Sequence, residues 1–372
     1  CAEDADSEGK EGLFYLWTPK EVNGHLGGDA GNLVCSFYNI TEAGNFEEGF
    51  SIPHISTPLA GFASEIGMDS AKFENLLNNA RSKLFGIRRK RIHPLKDDKI
   101  LTSWNGLMIA ALAKGYQALG DQEYIRAAGK AADFILKNLR TKDGKLLHRY
   151  RHGDAAYSGF LDDYAFLVWG LIELHEATFE VSYLDEALAL NSAMLDMFWD
   201  EQNGGLYFSG KENESLIIKT KDLYDGAIPS GNAVAALNLL RLGRMTGNVA
   251  LEKKAEQLIG AASGTVRTYP ASYTQLLGAV DFLIGPSREI VIAGDPALTD
   301  TREMIKTVQR KFLPNKVLLF HPAGPDAGRL VELVPFVKNM LPRYGRPTAY
   351  VCKNFACQAP ITDINKLEPI LK

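Results

Sequence analysis

The sequence predicts a mainly α protein in which successive α-hairpins curl into an α/α toroid, with a small α/β appendage after it. Three observations predict this class. Ser103-Trp104-Asn105-Gly106-Leu107 aligns without a gap on Asp162-Asp163-Tyr164-Ala165-Phe166 at an offset of 59 residues, and that stretch aligns on Ser230-Gly231-Asn232-Ala233-Val234 at an offset of 68. The same offsets carry Ala128 onto Ala187 and then onto Ala255. Each unit pairs a capped apolar helix with an alanine-rich one across a turn at Gly120, Phe179 or Gly247, and no single pair buries its own apolar face. Finally, the first helices are apolar almost all round, as in Leu107 to Ala113, whereas the second ones keep a polar face, as with Arg126, Lys130, Asp133 and Lys137. The first helices therefore form an inner ring and the second an outer one.

In chain order, residues 1–65 are rich in Gly, Asn, Asp and aromatics and read as loop and hairpin, with a strand-like piece at Leu33 to Tyr38. A helix begins at Ser70, its N-cap, and Phe73, Leu76, Leu77, Ala80 and Leu84 mark its apolar face. The hairpins follow at 103–139, 162–198 and 230–263, separated by Asp143-Gly144 and Asn203-Gly204-Gly205, which lead into strand-like Leu146 to Tyr150 and Leu206 to Ser209. A helix over 272–284 precedes Gly285-Pro286. Beyond it, Glu289 to Ala293, Val317 to Phe320 and Thr348 to Cys352 read as strands, with a helix from Asp300 to Phe312. The expected domains are a toroid over 1–285 and an α/β appendage over 286–372.

Among 372 residues, 41 Lys and Arg against 45 Asp and Glu give a net charge of −4, which supplies no basic field for nucleic acid. Arg88-Arg89-Lys90-Arg91 reads as a solvated helix end. No apolar run reaches the ~20 residues that span a bilayer. The chain starts at Cys1 without Met and reads as a fragment. Four scattered cysteines suit a reducing cytoplasm, and Cys352 and Cys357, spaced for neither a redox nor a zinc motif, read as buried free thiols. No cofactor or metal motif is present; Gly27-Gly28-Asp29-Ala30-Gly31 lacks the ending of a phosphate loop.

Six motifs in order carry a family resemblance: Ala2 to Gly9, Phe14-Tyr15-Leu16-Trp17-Thr18, Thr102 to Gly106, Leu161-Asp162-Asp163-Tyr164-Ala165, Asp225 to Asn232, and Cys352-Lys353-Asn354-Phe355-Ala356-Cys357. The chain resembles, over its full length, the YyaL-type or spermatogenesis-associated protein 20-like family of thioredoxin-domain proteins. That resemblance implies an upstream thioredoxin-like domain, absent here, and an (α/α)6 toroid like those of six-hairpin glycosidases and sugar 2-epimerases, here incomplete at its N-terminal side. Gly44-Asn45-Phe46-Glu47-Glu48-Gly49 carries an extra acidic residue relative to the family pattern.

The N-termini of inner helices converge at one end of a toroid with unpaired N–H groups facing the funnel. Asp162 reads as an N-cap, leaving Asp163 to point inward. Asp225 lies in a loop shaped by Gly226, Pro229 and Gly231 at the same end. Asp163 and Asp225 are the expected acid and base, with Asp6 of the acidic N-terminal string as a further partner. Trp104 and Tyr164 are expected platforms for a sugar face, and Asn105, Asn232, Glu47 and His54 its polar contacts. His148 and His152 sit in a link and His175 near a helix C-terminus, so carboxylates are favoured over histidines. The expected function is glycoside hydrolysis or sugar isomerisation in an acidic, aromatic funnel. The alternative is a non-catalytic binding module serving a thioredoxin-linked redox or maturation protein.

Overall fold

A computed structural model describes residues 2–214, 217–324, 327–353 and 356–371. Cys1 and the Asn354-Phe355 pair of the tail motif lie outside them. The chain forms two compact units, Cys1–Asp98 and Lys99–Lys372, so the division expected at 285/286 is not where the compact units part.

The first unit contains β1 (Ala2–Glu3), a hairpin of β2 (Asp6–Ser7) and β3 (Lys10–Glu11), helices α1 (Pro19–Leu26), α2 (Gly28–Phe37), α3 (Leu59–Glu65) and α4 (Ser70–Arg88), and β4 (Lys96–Asp97), which pairs with β1. Residues 1–65 are thus more helical than their composition suggests. Thr18 and Glu21 form a capping box that starts α1 with Pro19 in its first turn. Leu33 to Phe37 is helix, because burying Val34 and Phe37 on one face, against Phe62 and Phe73, outweighs local strand propensity. Asp69 rather than Ser70 caps α4 through the Lys72 N–H, and the helix buries Phe73, Leu77 and Ala80 as expected. The basic run is not merely solvated: Nη1 of Arg91 donates to the carbonyls of Leu13, Phe14 and Leu16, and its guanidinium lies 4.1 Å from the Trp17 ring.

In the second unit, β5 (Ile100–Leu101) leads into three hairpins: α5 (Thr102–Leu119) with α6 (Gln122–Asn138), α7 (Leu161–Thr178) with α8 (Val181–Phe198), and α9 (Gly231–Thr246) with α10 (Val249–Thr268). Helix α11 (Thr274–Ile284) follows. The inner helices α5, α7, α9 and α11 pack side by side in that order, and each outer helix packs on its own inner partner, which is the arrangement of an α/α toroid. Gly120, Phe179 and Gly247 close α5, α7 and α9 in left-handed conformation, φ 77, 61 and 74°, at the turn positions the repeat specifies. Helices α7 and α9 are buried nearly all round. Helix α5 is not: it lies at the end of the arc, and Trp104 and Met108 are about half exposed. Helices α5 and α7 touch backbone to backbone, since a Cβ on Gly106 would stand 2.5 Å from the Phe166 carbonyl carbon.

Strands β6 (Leu147–Arg151) and β7 (Asp154–Ser158) join β5 in a three-stranded sheet, turning at His152-Gly153 rather than at Asp143-Gly144. The α/β part adds β8 (Arg288–Gly294), α12 (Thr299–Gln309), β9 (Lys316–Pro322), α13 (Gly328–Leu333), β10 (Thr348–Lys353), β11 (Ala356–Cys357) and α14 (Ile364–Ile370). Its sheet runs β11-β10-β8-β9, with β8 and β9 parallel. Alternation along β8 turns Val291 and Ala293 to the helical core and Ile290 and Ile292 toward Met304 and Val308 of α12. Cys352 and Cys357, opposite one another on β10 and β11, form a disulfide rather than two free thiols; the antiparallel pairing of the two strands supplies the proximity that their spacing in sequence conceals. Among the described residues no helix is long and apolar enough to cross a membrane.

Candidate functional site

The chain is pinned at the two residues that precede His148, at the start of β6. The Leu146 N–H donates to the Tyr164 hydroxyl at 2.8 Å, and the Thr102 hydroxyl donates to the Leu147 carbonyl at 2.6 Å. This holds the His148 ring over the start of α7, where Nδ1 lies 2.9 Å from Oδ2 of Asp163. Asp163 is wholly buried. Its Oδ2 also accepts the Phe160 N–H at 2.9 Å, and its Oδ1 accepts the Ser103 N–H of α5 at 2.9 Å. A carboxylate that otherwise accepts only backbone N–H groups requires Nδ1 of His148 to donate. Nε2 is the nitrogen left over, and it has no hydrogen-bond partner among the described residues. The His148 ring packs edge-on against Phe160, which stacks on Phe208.

The hydrogen bond to Asp163 holds the His148 imidazole above the usual histidine range, against the opposing effects of partial burial and of Lys99. Next to it, Asp162 is half-buried and raised to about 6, by burial first and then by the charges of Asp163 and Asp222; a hydrogen bond from the Gly231 backbone opposes this. Gly231 gives that carboxylate room, since a Cβ there would lie 2.3 Å from Asp162 Oδ1 and push the side chain aside. His148 lines a cavity of about 530 Å³ with Lys99, Arg149, Arg151 and Tyr157. Arg149 pairs with Asp154 and lies over the exposed Tyr157 ring.

Of the residues expected from the sequence, Asp163 and Asp225 prove to be clamps between helices. Asp225 accepts the Ser230 N–H before α9 and the Gln275 N–H in the first turn of α11, at 2.9 and 2.8 Å. Asp163 does the same for α5, and Asp162 takes the backbone of Gly231 in α9. Asp162 is therefore not the cap of its own helix; Phe160 occupies that position, and Asp163 returns the bond to it. Tyr164 is no sugar platform, being fully buried with its ring against Phe198 and its hydroxyl on Leu146 and Met197. Asn232 is likewise buried: its amide pairs with both backbone groups of Leu206 and with the Asp222 carbonyl, completing the edge of an irregular chain. Asn105 donates to the Leu101 carbonyl, while Trp104 stays exposed on α5.

In the first unit, Asp6 sits exposed on β2 with its N–H on Asp4. Glu47 lies in the turn before Phe50, where Glu48 pairs with Lys10. His54 is exposed, with its ring near Asn45 and the Ile52 carbonyl. His175 is buried, its Nδ1 on the Glu180 carbonyl. Among the described residues no group of three or more His, Cys, Asp or Glu could hold a metal ion.

Fold and site together define an α/α-hairpin protein with a carboxylate-held histidine at the N-terminal end of its inner helices. The chain is similar over its whole length to members of the spermatogenesis-associated protein 20-like family. It is 34% identical to spermatogenesis-associated protein 20 of Homo sapiens, over 100% of this chain and 51% of that protein. It is 33% identical to the Rattus norvegicus protein with the same coverage, and 28% identical to an uncharacterized protein of Caenorhabditis elegans, over 100% of this chain and 54% of that one. The chain spans about half the length of the curated relatives it matches. No family model matches it. Among solved structures it is similar to a cellobiose 2-epimerase from Bacillus thermoamylovorans, with 18% identity, a TM-score of 0.38 and 45% of each chain covered. It is also similar to a GH76 α-mannanase from Bacteroides thetaiotaomicron, with 15% identity, a TM-score of 0.39 and 55% of this chain and 58% of that chain covered. At these TM-scores neither likeness adds to what the helices themselves show.

Proposed function

We propose that this chain is the sugar-handling part of its protein and that His148 transfers a proton on a polyhydroxylated, sugar-like ligand, as in sugar isomerisation. The observation that carries the reading is the His148–Asp163 pair at 2.9 Å, with Nε2 unpartnered beside a cavity. A carboxylate that fixes the tautomer and supports the imidazolium is what a histidine base needs. Nε2 takes a proton from the carbon beside a carbonyl, leaving an enediolate; returning that proton to the neighbouring carbon on the same face, while the hydroxyl proton passes between the two adjacent oxygens, completes isomerisation. Tyr157 supplies an aromatic face, and Lys99, Arg149 and Arg151 supply donors for hydroxyls. Hydrolysis through Asp163 and Asp225 has less support, because both carboxylates are engaged by backbone N–H groups on other helices.

The same clamping gives the binding-module reading its one observation, since the acidic residues of the repeats have structural work. The two separate by solvent deuterium uptake at the carbon next to the carbonyl, followed by NMR over a panel of aldoses and ketoses in D2O. The isomerase reading expects uptake from at least one sugar and its loss in His148→Gln. No uptake, or equal uptake in the variant, leaves the binding module.

A further inference from the structure

Ten residues beyond Asp163, about 15 Å along α7, the inner helices surround a second cavity of about 400 Å³, closed on one side by the segment joining α12 to β9. Its floor is a buried ion cluster. Arg241 of α9 spans Glu173 and Glu176 of α7 at 2.5 and 3.2 Å. Glu173 also takes Lys114 at 2.9 Å and the Trp169 indole N–H at 3.0 Å, while Glu176 accepts the Leu318 N–H. Burial would raise the Glu173 carboxyl, but Arg241 and Lys114 outweigh it and hold the group down at about 2. The Glu173 carboxylate is therefore ionised, and both carboxylates are already engaged by these partners.

The charge in the walls does not balance. Lys114, Arg241, Arg310, Lys311 and Lys316 line the cavity against only Glu173 and Glu176, in a chain whose net charge is −4. Arg310 and Lys311 make no salt bridge among the described residues, and Lys316 reaches Glu176 only at 3.8 Å. Phe312, in the same segment, is almost fully exposed at the cavity and offers a ring face together with Trp169. Like charges gathered around a concave, partly apolar wall raise the local concentration of an anion. Lysines act on phosphate as point charges and arginine as a fork.

We propose that this cavity binds an organic phosphate monoester: the dianion meets Arg310, Lys311 and Lys316, and the organic part lies against Trp169 and Phe312. The site is independent of His148, so its test is separate from that of the sugar-isomerase reading. Calorimetric titration of the chain with ribose 5-phosphate, inorganic phosphate and ribose reads it directly. Ribose 5-phosphate is expected to bind more tightly than inorganic phosphate, and ribose not at all. The exposed pair Arg310→Gln and Lys311→Gln is expected to weaken ribose 5-phosphate by about tenfold or more, and raising salt from low to above physiological strength to weaken it severalfold. Binding is expected to persist in His148→Gln. The proposal is overturned if neither phosphate binds, if ribose binds as well as its phosphate, if the double variant binds with unchanged affinity, or if His148→Gln abolishes binding. Equal binding of inorganic and organic phosphate also overturns the assigned role of the two rings.

Discussion

Nδ1 of His148, on a strand, lies 2.9 Å from Oδ2 of Asp163, on an inner helix, and the two are joined by a link that the repeat itself does not contain. The pair couples the His148 imidazole to a carboxylate that also ties α5 to α7.

That coupling has a pH signature. His148 is raised in the folded state, so the pair's contribution to stability is fully present below the unfolded value of about 6.5 and is lost as pH rises through the folded value. Urea unfolding between pH 5 and 9 should show the wild type losing more stability than His148→Gln on the alkaline side. Parallel pH curves for the two proteins would contradict the pairing.

Asp162 carries the opposite lesson. It titrates at about 6 in the fold against 3.8 in the unfolded chain, so stability falls as pH rises from about 4 to 6 and the cost persists above it. Asp162→Asn keeps an acceptor for Gly231 and removes the charge. It is expected to stabilise the protein at pH 7 by on the order of 1–3 kcal/mol and to change little at pH 4, as read by denaturant midpoints.

How much of this was legible in the sequence follows from what each residue touches. The hairpins and their left-handed turns at Gly120, Phe179 and Gly247 were readable because the period and the turn residues are local signals. The strands of the α/β part were readable for the same reason, each a short apolar run: Arg288–Gly294, Lys316–Pro322 and Thr348–Lys353. His148 was not, since nothing near it marks it; only the packing of β6 over the start of α7 brings its ring to Asp163. Tyr164 and Asn232 were misread because polar atoms near a helix start suggest a ligand, whereas here they satisfy backbone groups of neighbouring segments. Helix α2 hid behind loop-like composition because its burial is tertiary. Helix α1 carries a local start signal, the Thr18–Glu21 capping box with Pro19, that the loop-like composition of residues 1–65 masked.

The clamps should prove structural. Asp163→Ala leaves the Ser103 and Phe160 N–H groups without their acceptor and is expected to cost about 3–5 kcal/mol. Asp225→Ala frees the Ser230 and Gln275 N–H groups nearer the surface and should cost about 1–3 kcal/mol. Thermal melts check both. A large loss of turnover in Asp225→Asn with an unshifted melt would instead return Asp225 to the chemistry.

The α5–α7 contact tests the packing of the arc. An alanine at Gly106 sets its Cβ against the Phe166 backbone, which has no rotamer to yield, so Gly106→Ala should lower stability by about 2–3 kcal/mol. Gly264→Ala, on α10 with open space around the added methyl, is the control and should be neutral or mildly stabilising. Equal midpoints for the two variants would show that α5 and α7 do not meet at Gly106.

The most direct measurement is the nitrogen-15 spectrum of the His148 ring through a pH titration, in the wild type and in Asp163→Asn. The account predicts that the neutral ring carries its proton on Nδ1, that it titrates above the ordinary histidine value, and that the variant lowers that value. A neutral ring protonated on Nε2, or a titration indifferent to Asp163, would contradict it.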